Sequence, residues 1–193
     1  VKFALSAVLE SHPDFILSGI NHGSNLGTDI LYSGTVSAAM EGLLEGIPSI
    51  ALSLASFAAN DFTIAADIAL CLLTQLSEHP LPQPTLLNVN IPYVPKEEIA
   101  GFKIATLGVR RYIETFQKRV DPRGKSYYWL AGEVVEELKQ PIQQDQTSPT
   151  LSDVEAIQKK YITITPLQYN LTDFQNLHSW SANPPFQFSS KNE

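Results

Sequence analysis

Basic side chains are nearly missing from the first half of this chain. Of thirteen lysines and arginines in 193 residues, only Lys2 lies within the first 95, and seven fall between Lys103 and Lys125. The front half therefore lacks the many cationic contacts that grip a nucleic-acid backbone. Any anion bound there must be met by backbone N–H groups, hydroxyls, amides or a metal cation. Cysteine is reduced to Cys71, which excludes an internal disulfide and a cysteine-built zinc site and points to a reducing, cytoplasmic setting. No run approaches the ~18 consecutive apolar residues of a membrane helix, and the start lacks the basic, apolar, small-residue pattern of a secretory signal. Charged residues are 17% against 44% hydrophobic, so the chain is not disordered along its length. One globular domain with a real core fits. The first residue is Val1 rather than Met, inside an apparent helix, so a preceding segment is expected.

Apolar spacing at Phe3, Ala4, Ala7 and Val8 predicts a helix over 2–10. A short apolar run of buried-strand type follows over 14–20, then a glycine-punctuated polar loop over 21–32. A helix opens at Ser33-Gly34-Thr35 and runs to Leu44, with Gly46 as its stop. Residues 48–54 read as a second buried strand. The clearest helix covers 61–76, capped by Asn60 or Asp61, with Ile64, Ile68, Leu72 and Leu76 on one stripe. After a proline-rich linker, 86–91 reads as a third strand. Helices alternating with apolar strands predict a mostly parallel α/β sheet. A strand over 102–109 leads into a basic and aromatic stretch with a turn at Asp121–Gly124 and a return at Tyr127–Leu130, together an extended hairpin arm. A polar loop covers 140–149, Ser152 to Glu155 forms a capping box for a short helix, and 161–165 alternates as a strand. The expected organisation is one domain over 1–193: a core over 1–101, the arm over 102–138, a loop, helix and strand over 139–180, and a loose polar tail over 181–193.

Six of the ten glycines lie between Gly19 and Gly46, around the loop after the first strand, where open parallel sheets bind ligands. This loop places Asn21 and Asn25 four residues apart. An Asn carbonyl oxygen is a hard donor suited to Mg²⁺ or Mn²⁺, and its NH₂ suits a phosphate oxygen. A turn rich in Asn and Gly for purely conformational reasons has the same composition. Ser33-Gly34-Thr35 at a helix start adds exposed N–H groups, hydroxyls and the positive end of the helix dipole, the parts of an anion site that needs no lysine. Plain N-capping explains the same residues. The two pieces reinforce each other, and the shortage of Lys and Arg makes a cation necessary if the ligand is a phosphate. The dinucleotide fingerprint G-x-G-x-x-G is absent.

The stretch Ser18-Gly19-Ile20-Asn21-His22-Gly23-Ser24-Asn25-Leu26-Gly27, followed by Tyr32-Ser33-Gly34-Thr35-Val36, Glu41-Gly42 and Ile47–Ala51, resembles the SurE family. Asn88-Val89-Asn90-Ile91-Pro92, the arm from Arg110 to Glu133, and Tyr161–Leu167 fall in the same order, so the resemblance covers nearly the whole chain. It implies a Rossmann-like three-layer α/β domain with an extended C-terminal arm used in dimers and tetramers. It also implies a metal-dependent 5'-nucleotidase acting on nucleoside monophosphates. By the same resemblance Asn21 matches a ligand of the divalent cation, Mg²⁺ or Mn²⁺, and Asn25, Ser33, Gly34 and Thr35 match residues lining the phosphate site. The family's metal is held mainly by an aspartate pair at the end of a first strand. That pair and that strand are expected upstream of Val1, so this chain is expected to carry only part of the metal site and to be inactive by itself. The implied reaction is metal-assisted attack of water on phosphorus. A non-catalytic nucleotide- or metal-binding module and an oligomerisation scaffold are the alternatives.

Other residues carry less. His22 reads as an exposed loop residue, and His12, His79 and His178 show no ligand spacing. Asp29 reads as a solvated loop carboxylate and Cys71 as helix core. Ser18, Ser49 and Ser53 lack the G-x-S-x-G elbow of a serine hydrolase. Arg110, Arg111, Lys118, Arg119, Arg123 and Lys125, interleaved with Tyr112, Phe116, Tyr127, Tyr128 and Trp129, superficially suit single-stranded nucleic acid. A subunit interface is favoured, because interfaces are rich in aromatics and Arg and an isolated hairpin is marginal without packing.

Overall fold

A computed structural model describes residues 1–135, 150–183 and 185–186, apart from the side chains of 111–115 and 132–135. The polar loop expected over 140–149, the end of the arm and most of the tail lie outside the described residues.

Five strands form one sheet in the order β1 (Ile16–His22), β2 (Ser49–Leu54), β3 (Leu86–Ile91), β7 (Ile162–Leu167) and β4 (Phe102–Ile104). All neighbours are parallel except β3 and β7. The mostly parallel α/β sheet expected from the alternation of elements is therefore present. The ladder of β1 on β2 shifts register between Ser18 and Asn21. Helices cover both faces, giving three layers. On one face α2 (Thr63–Glu78) packs Ala65, Ala69 and Leu72, with Ile64, Ile68 and Leu76 at the margin, onto Ile50, Leu52, Leu54, Leu87, Val89 and Ile91. Each fully buried aliphatic side chain there contributes roughly 1.5–3 kcal/mol. Ahead of α2, the Asp61 carboxylate accepts from the Thr63 hydroxyl and backbone N–H. These bonds, the hydroxyl first, hold its carboxyl below the ordinary value.

The alternation of side chains along a strand places every second residue on the opposite face. There α1 (Gly34–Leu44) packs Val36 and Ala39 onto Ala51 and Leu86. Farther along the same face the sheet is polar. Ser53 pairs with Asn90, and Asn88 and Asn90 pair with Thr165 and Thr163, all buried. The loop after β1 crosses this stripe, its Asn25 bonding to Ser53, Asn88 and Asn90.

A separate two-stranded sheet, β5 (Arg111–Val120) and β6 (Ser126–Val135), is the expected arm. Its turn is held by Asp121, whose carboxylate accepts from the N–H groups of Arg123 and Lys125, with Gly124 at φ +80. The short helix α3 (Asp153–Gln158) carries the expected Ser152–Glu155 capping box.

Four expectations need correction. The first helix spans residues 2–8, two short of its expected end, its last five residues (Ala4–Val8) wound as a π-turn; the residue it buries is Leu5, while Phe3, Ala7 and Val8 of the expected stripe are exposed. The strand expected over 102–109 stops at Ile104, because Thr106 N–H turns to Leu151 and Gly108 N–H to Asp153. Helix α4 (Phe174–Ala182), capped by Asp173, occupies a stretch that gave no sequence signal and runs past Ser181. Cys71 is only half-buried on α2 and accepts from Gln75.

Candidate functional site

The loop between β1 and α1 leaves the carboxyl end of β1, crosses the polar stripe, and returns. Its exit is fixed by Gly23, whose N–H donates to Leu54 O at 2.9 Å and whose φ is +103. Its return is a 3-10 turn over Gly27–Tyr32 that delivers Ser33 as the N-cap of α1.

This excursion brings together the two pieces seen in the sequence. Thr35 Oγ1 donates to Asn21 Oδ1 at 3.2 Å, and Asn21 Nδ2 donates to Gly23 O at 2.9 Å. Ser33 Oγ accepts from Val36 N–H at 3.1 Å. Gly34 and Thr35 stand in the first turn, where helical N–H groups have no carbonyl partner within the helix. A Cβ added at Gly34 would meet nothing within 4 Å, so space is open beside that turn. The positive end of α1, two hydroxyls and one amide therefore converge at the end of β1, an arrangement able to hold an anion.

Asn25 behaves differently. It is buried, and its whole peptide unit faces the sheet. Its N–H donates to Asn90 Oδ1 at 2.8 Å, its carbonyl accepts from Asn88 and Asn90 Nδ2 at 2.9 and 3.0 Å, and its own Nδ2 donates to Ser53 Oγ at 2.7 Å. In this position Asn25 is first an anchor of the loop, with one amide N–H left for a ligand.

Farther along, the loop meets the root of the arm. Gly27 N–H donates to Asp153 Oδ2 at 2.8 Å, and Gly108 N–H donates to Asp153 Oδ1 at 2.8 Å. Thr28 Oγ1 donates to Arg110 O at 2.7 Å and accepts from Arg110 N–H at 3.1 Å. Asp29 forms an ion pair with Arg110, both side chains being largely buried at 14% and 17% exposure. Asp29 is thus not a solvated loop carboxylate, and Arg110 belongs to the loop's support rather than to the surface of the arm. The desolvation of both charges demands this pairing.

Sequence reasoning passed over Ser53, Asn88, Asn90 and Asp153 as site supports. The signal was available: polar side chains inside otherwise apolar strands need buried partners. His22 is exposed at the end of β1 against Phe57 and Phe62, and His12, His79 and His178 are exposed and far apart in the chain. Among the described residues there is no group of three or more His, Cys, Asp or Glu side chains that could hold a metal ion. Nor is any helix among them long and apolar enough to cross a membrane.

Comparison with known proteins adds to this geometry. Residues 1–114 match the family model described as survival protein SurE. The chain is 66% identical over 175 residues to 5'-nucleotidase SurE of Gloeothece citriformis, covering 91% of this chain and 65% of that protein. It is 65% identical over 185 residues to the protein of that name in Microcystis aeruginosa, covering 93% and 68%. The crystal structure of the SurE protein from Aquifex aeolicus superimposes with a TM-score of 0.72 at 38% identity, covering 94% of this chain and 70% of that one. The chain spans about two thirds of the length of the curated relatives it matches.

Proposed function

The chain belongs to the SurE family, and from that premise we propose that it is a nucleotidase, a phosphomonoesterase acting on nucleoside monophosphates at the Asn21–Thr35 site. The observation that carries this reading is the 3.2 Å contact between Thr35 and Asn21 at a helix N-terminus with open space at Gly34. The names of the relatives, 5'-nucleotidase SurE, support the same chemistry.

In this reading the first-turn N–H groups of α1, that of Thr35 among them, and the Ser33 hydroxyl hold the phosphoryl oxygens, the Thr35 hydroxyl keeps Asn21 in place, and Asn25 adds its remaining N–H. Their dipoles are fixed before substrate arrives, so the negative charge that spreads over those oxygens in the transition state meets oriented donors. Water attacks phosphorus in line with the departing nucleoside oxygen.

The resemblance implies a Mg²⁺ or Mn²⁺ ion. The donor that the resemblance assigns to it, Asn21 Oδ1, already accepts from Thr35, and the other oxygens at the site are neutral amides and hydroxyls. Carboxylates supply most of the hold on such cations. The donors described here do not complete a metal site, and no step is routed through the ion. On that ground residues 1–193 alone are expected to turn over slowly or not at all.

Phosphate release from AMP, with and without Mn²⁺, tests the reading. Turnover abolished by Thr35→Ala supports it. AMP binding with no phosphate release by the whole protein favours the binding-module alternative.

The same reading includes a cytoplasmic setting and self-association into dimers or tetramers through the arm around 110–133. Phe116, Tyr128, Trp129 and Leu130 stand 53–63% exposed on the hairpin, and Arg119 lies over the Trp129 ring at 5.2 Å. Exposed aromatics with an Arg are what subunit interfaces collect.

A further inference from the structure

Phe57 is among the most exposed aromatic side chains described, at 82%, yet its ring is not loose on the surface. It lies directly against Gly23: a Cβ at Gly23 would collide with ring atoms Cε1 and Cζ of Phe57. The backbone beneath the ring is fixed, since Ala55 N–H donates to Ile91 O, Ser56 N–H to Leu54 O, and Ala58 N–H to Ser56 Oγ. The His22 ring flanks Phe57 at 6.2 Å and meets Phe62 edge-on at 5.7 Å. Gly23 is also the residue whose carbonyl accepts from Asn21 Nδ2. One glycine therefore touches both the aromatic ring and the amide at the centre of the proposed phosphate site.

We infer that Phe57 is the stacking platform for the base of a nucleoside monophosphate, an inference that rests on the nucleotidase reading and names what that site selects. A rigidly seated aromatic face in water, beside a site for phosphate, is the element that phosphate-holding groups alone lack. Every base has a π-face, so stacking tolerates any of them. The expected specificity is broad over bases and sharp against phosphate esters with no base. Stacking on a part of the substrate far from the reacting bond is uniform binding, which lowers KM and leaves kcat alone. The absence of a Cβ at Gly23 is then a requirement of the site, because only glycine lets the ring approach while keeping φ at +103.

The experiment compares AMP with ribose 5-phosphate in the whole protein, supplied with Mn²⁺, and in its Phe57→Ala and Phe57→Trp variants. The exposure of Phe57 makes all three foldable. The expected result is a fall of about tenfold in the AMP to ribose 5-phosphate ratio of kcat/KM in Phe57→Ala, carried by the KM for AMP, with the ratio restored by Phe57→Trp. An unchanged ratio in Phe57→Ala overturns the inference while leaving the nucleotidase reading intact. If the whole protein, supplied with Mn²⁺, hydrolyses neither ester, that reading falls and calorimetric binding of the same two ligands decides on Phe57. Tighter binding of AMP than of ribose 5-phosphate, lost in Phe57→Ala, supports the platform. Equal binding, or none, overturns it.

Discussion

Gly27 and Asp153 stand 126 positions apart, and the N–H of the first donates to the carboxylate of the second at 2.8 Å. The other oxygen of the same fully buried carboxylate accepts from Gly108 and from Val154, at 2.8 and 2.9 Å. A buried carboxylate is tolerated when such bonds replace its hydration. Here they join the loop after β1, the root of the arm and the start of α3 into one joint.

Asp153→Asn turns one acceptor oxygen into an NH₂ that faces a backbone N–H. It leaves a buried donor unsatisfied, and the expected loss is about 3 kcal/mol of stability. Urea unfolding measures it. Amide exchange at Gly27 and Gly108 is expected to rise together, because one carboxylate holds both.

Gly27→Ala tests the closeness of that joint. The added Cβ would lie 2.5 Å from Gly108 O, at φ +53. Left-handed backbone costs a non-glycine residue about 1–2 kcal/mol, and the contact with a backbone carbonyl adds to it. A lower melting temperature and slower AMP turnover are expected; a variant as stable as the parent would show that the loop shifts freely.

Asn21 and Ser33 separate by role. Asn21→Ala removes the amide oxygen proposed for the metal and is expected to raise the Mn²⁺ concentration needed for half-maximal rate. Ser33→Ala removes the cap of α1, which costs about 1 kcal/mol, and slows turnover. Metal titrations and melting curves of both variants distinguish the two; identical profiles contradict the assignment.

The arm predicts a change in mass. Replacing Tyr128 and Trp129 by serine is expected to shift sedimentation toward smaller species with little change in the unfolding of the sheet, since the hairpin forms its own two-stranded sheet. An unchanged sedimentation coefficient removes the interface role.

Acid weakens the cap of α4. Asn176 N–H donates to Asp173 and, with smaller contributions, holds its carboxyl below the ordinary value. A lowered folded value means the cap contributes fully above the unfolded pKa, about 4, and loses its contribution as pH falls through the folded one. Loss of α4 helicity below about pH 4, abolished as a pH effect in Asp173→Asn, is the expected circular dichroism result.

Much of the core was legible because burial leaves a periodic trace. The stripe Ile64, Ile68, Leu72 and Leu76 packs against the sheet as its spacing predicts, and the arm turns at Asp121–Gly124 as its residues require. Helix α4 was not legible: all its residues are exposed, so no apolar stripe marks it.

The sequence by itself determined the alternation of helices and strands, the anion-suited start of α1 and the shortage of cationic side chains around it. These follow from local spacing and composition. Only the tertiary structure decided that Asn25 faces the sheet, that Asp29 belongs with Arg110, and that Asp153 ties the loop to the arm. Each is a pairing across 28 to 126 positions. Such pairings are made by desolvation: a buried amide or carboxylate takes the partner that folding brings to it, and nothing in its neighbours along the chain names that partner.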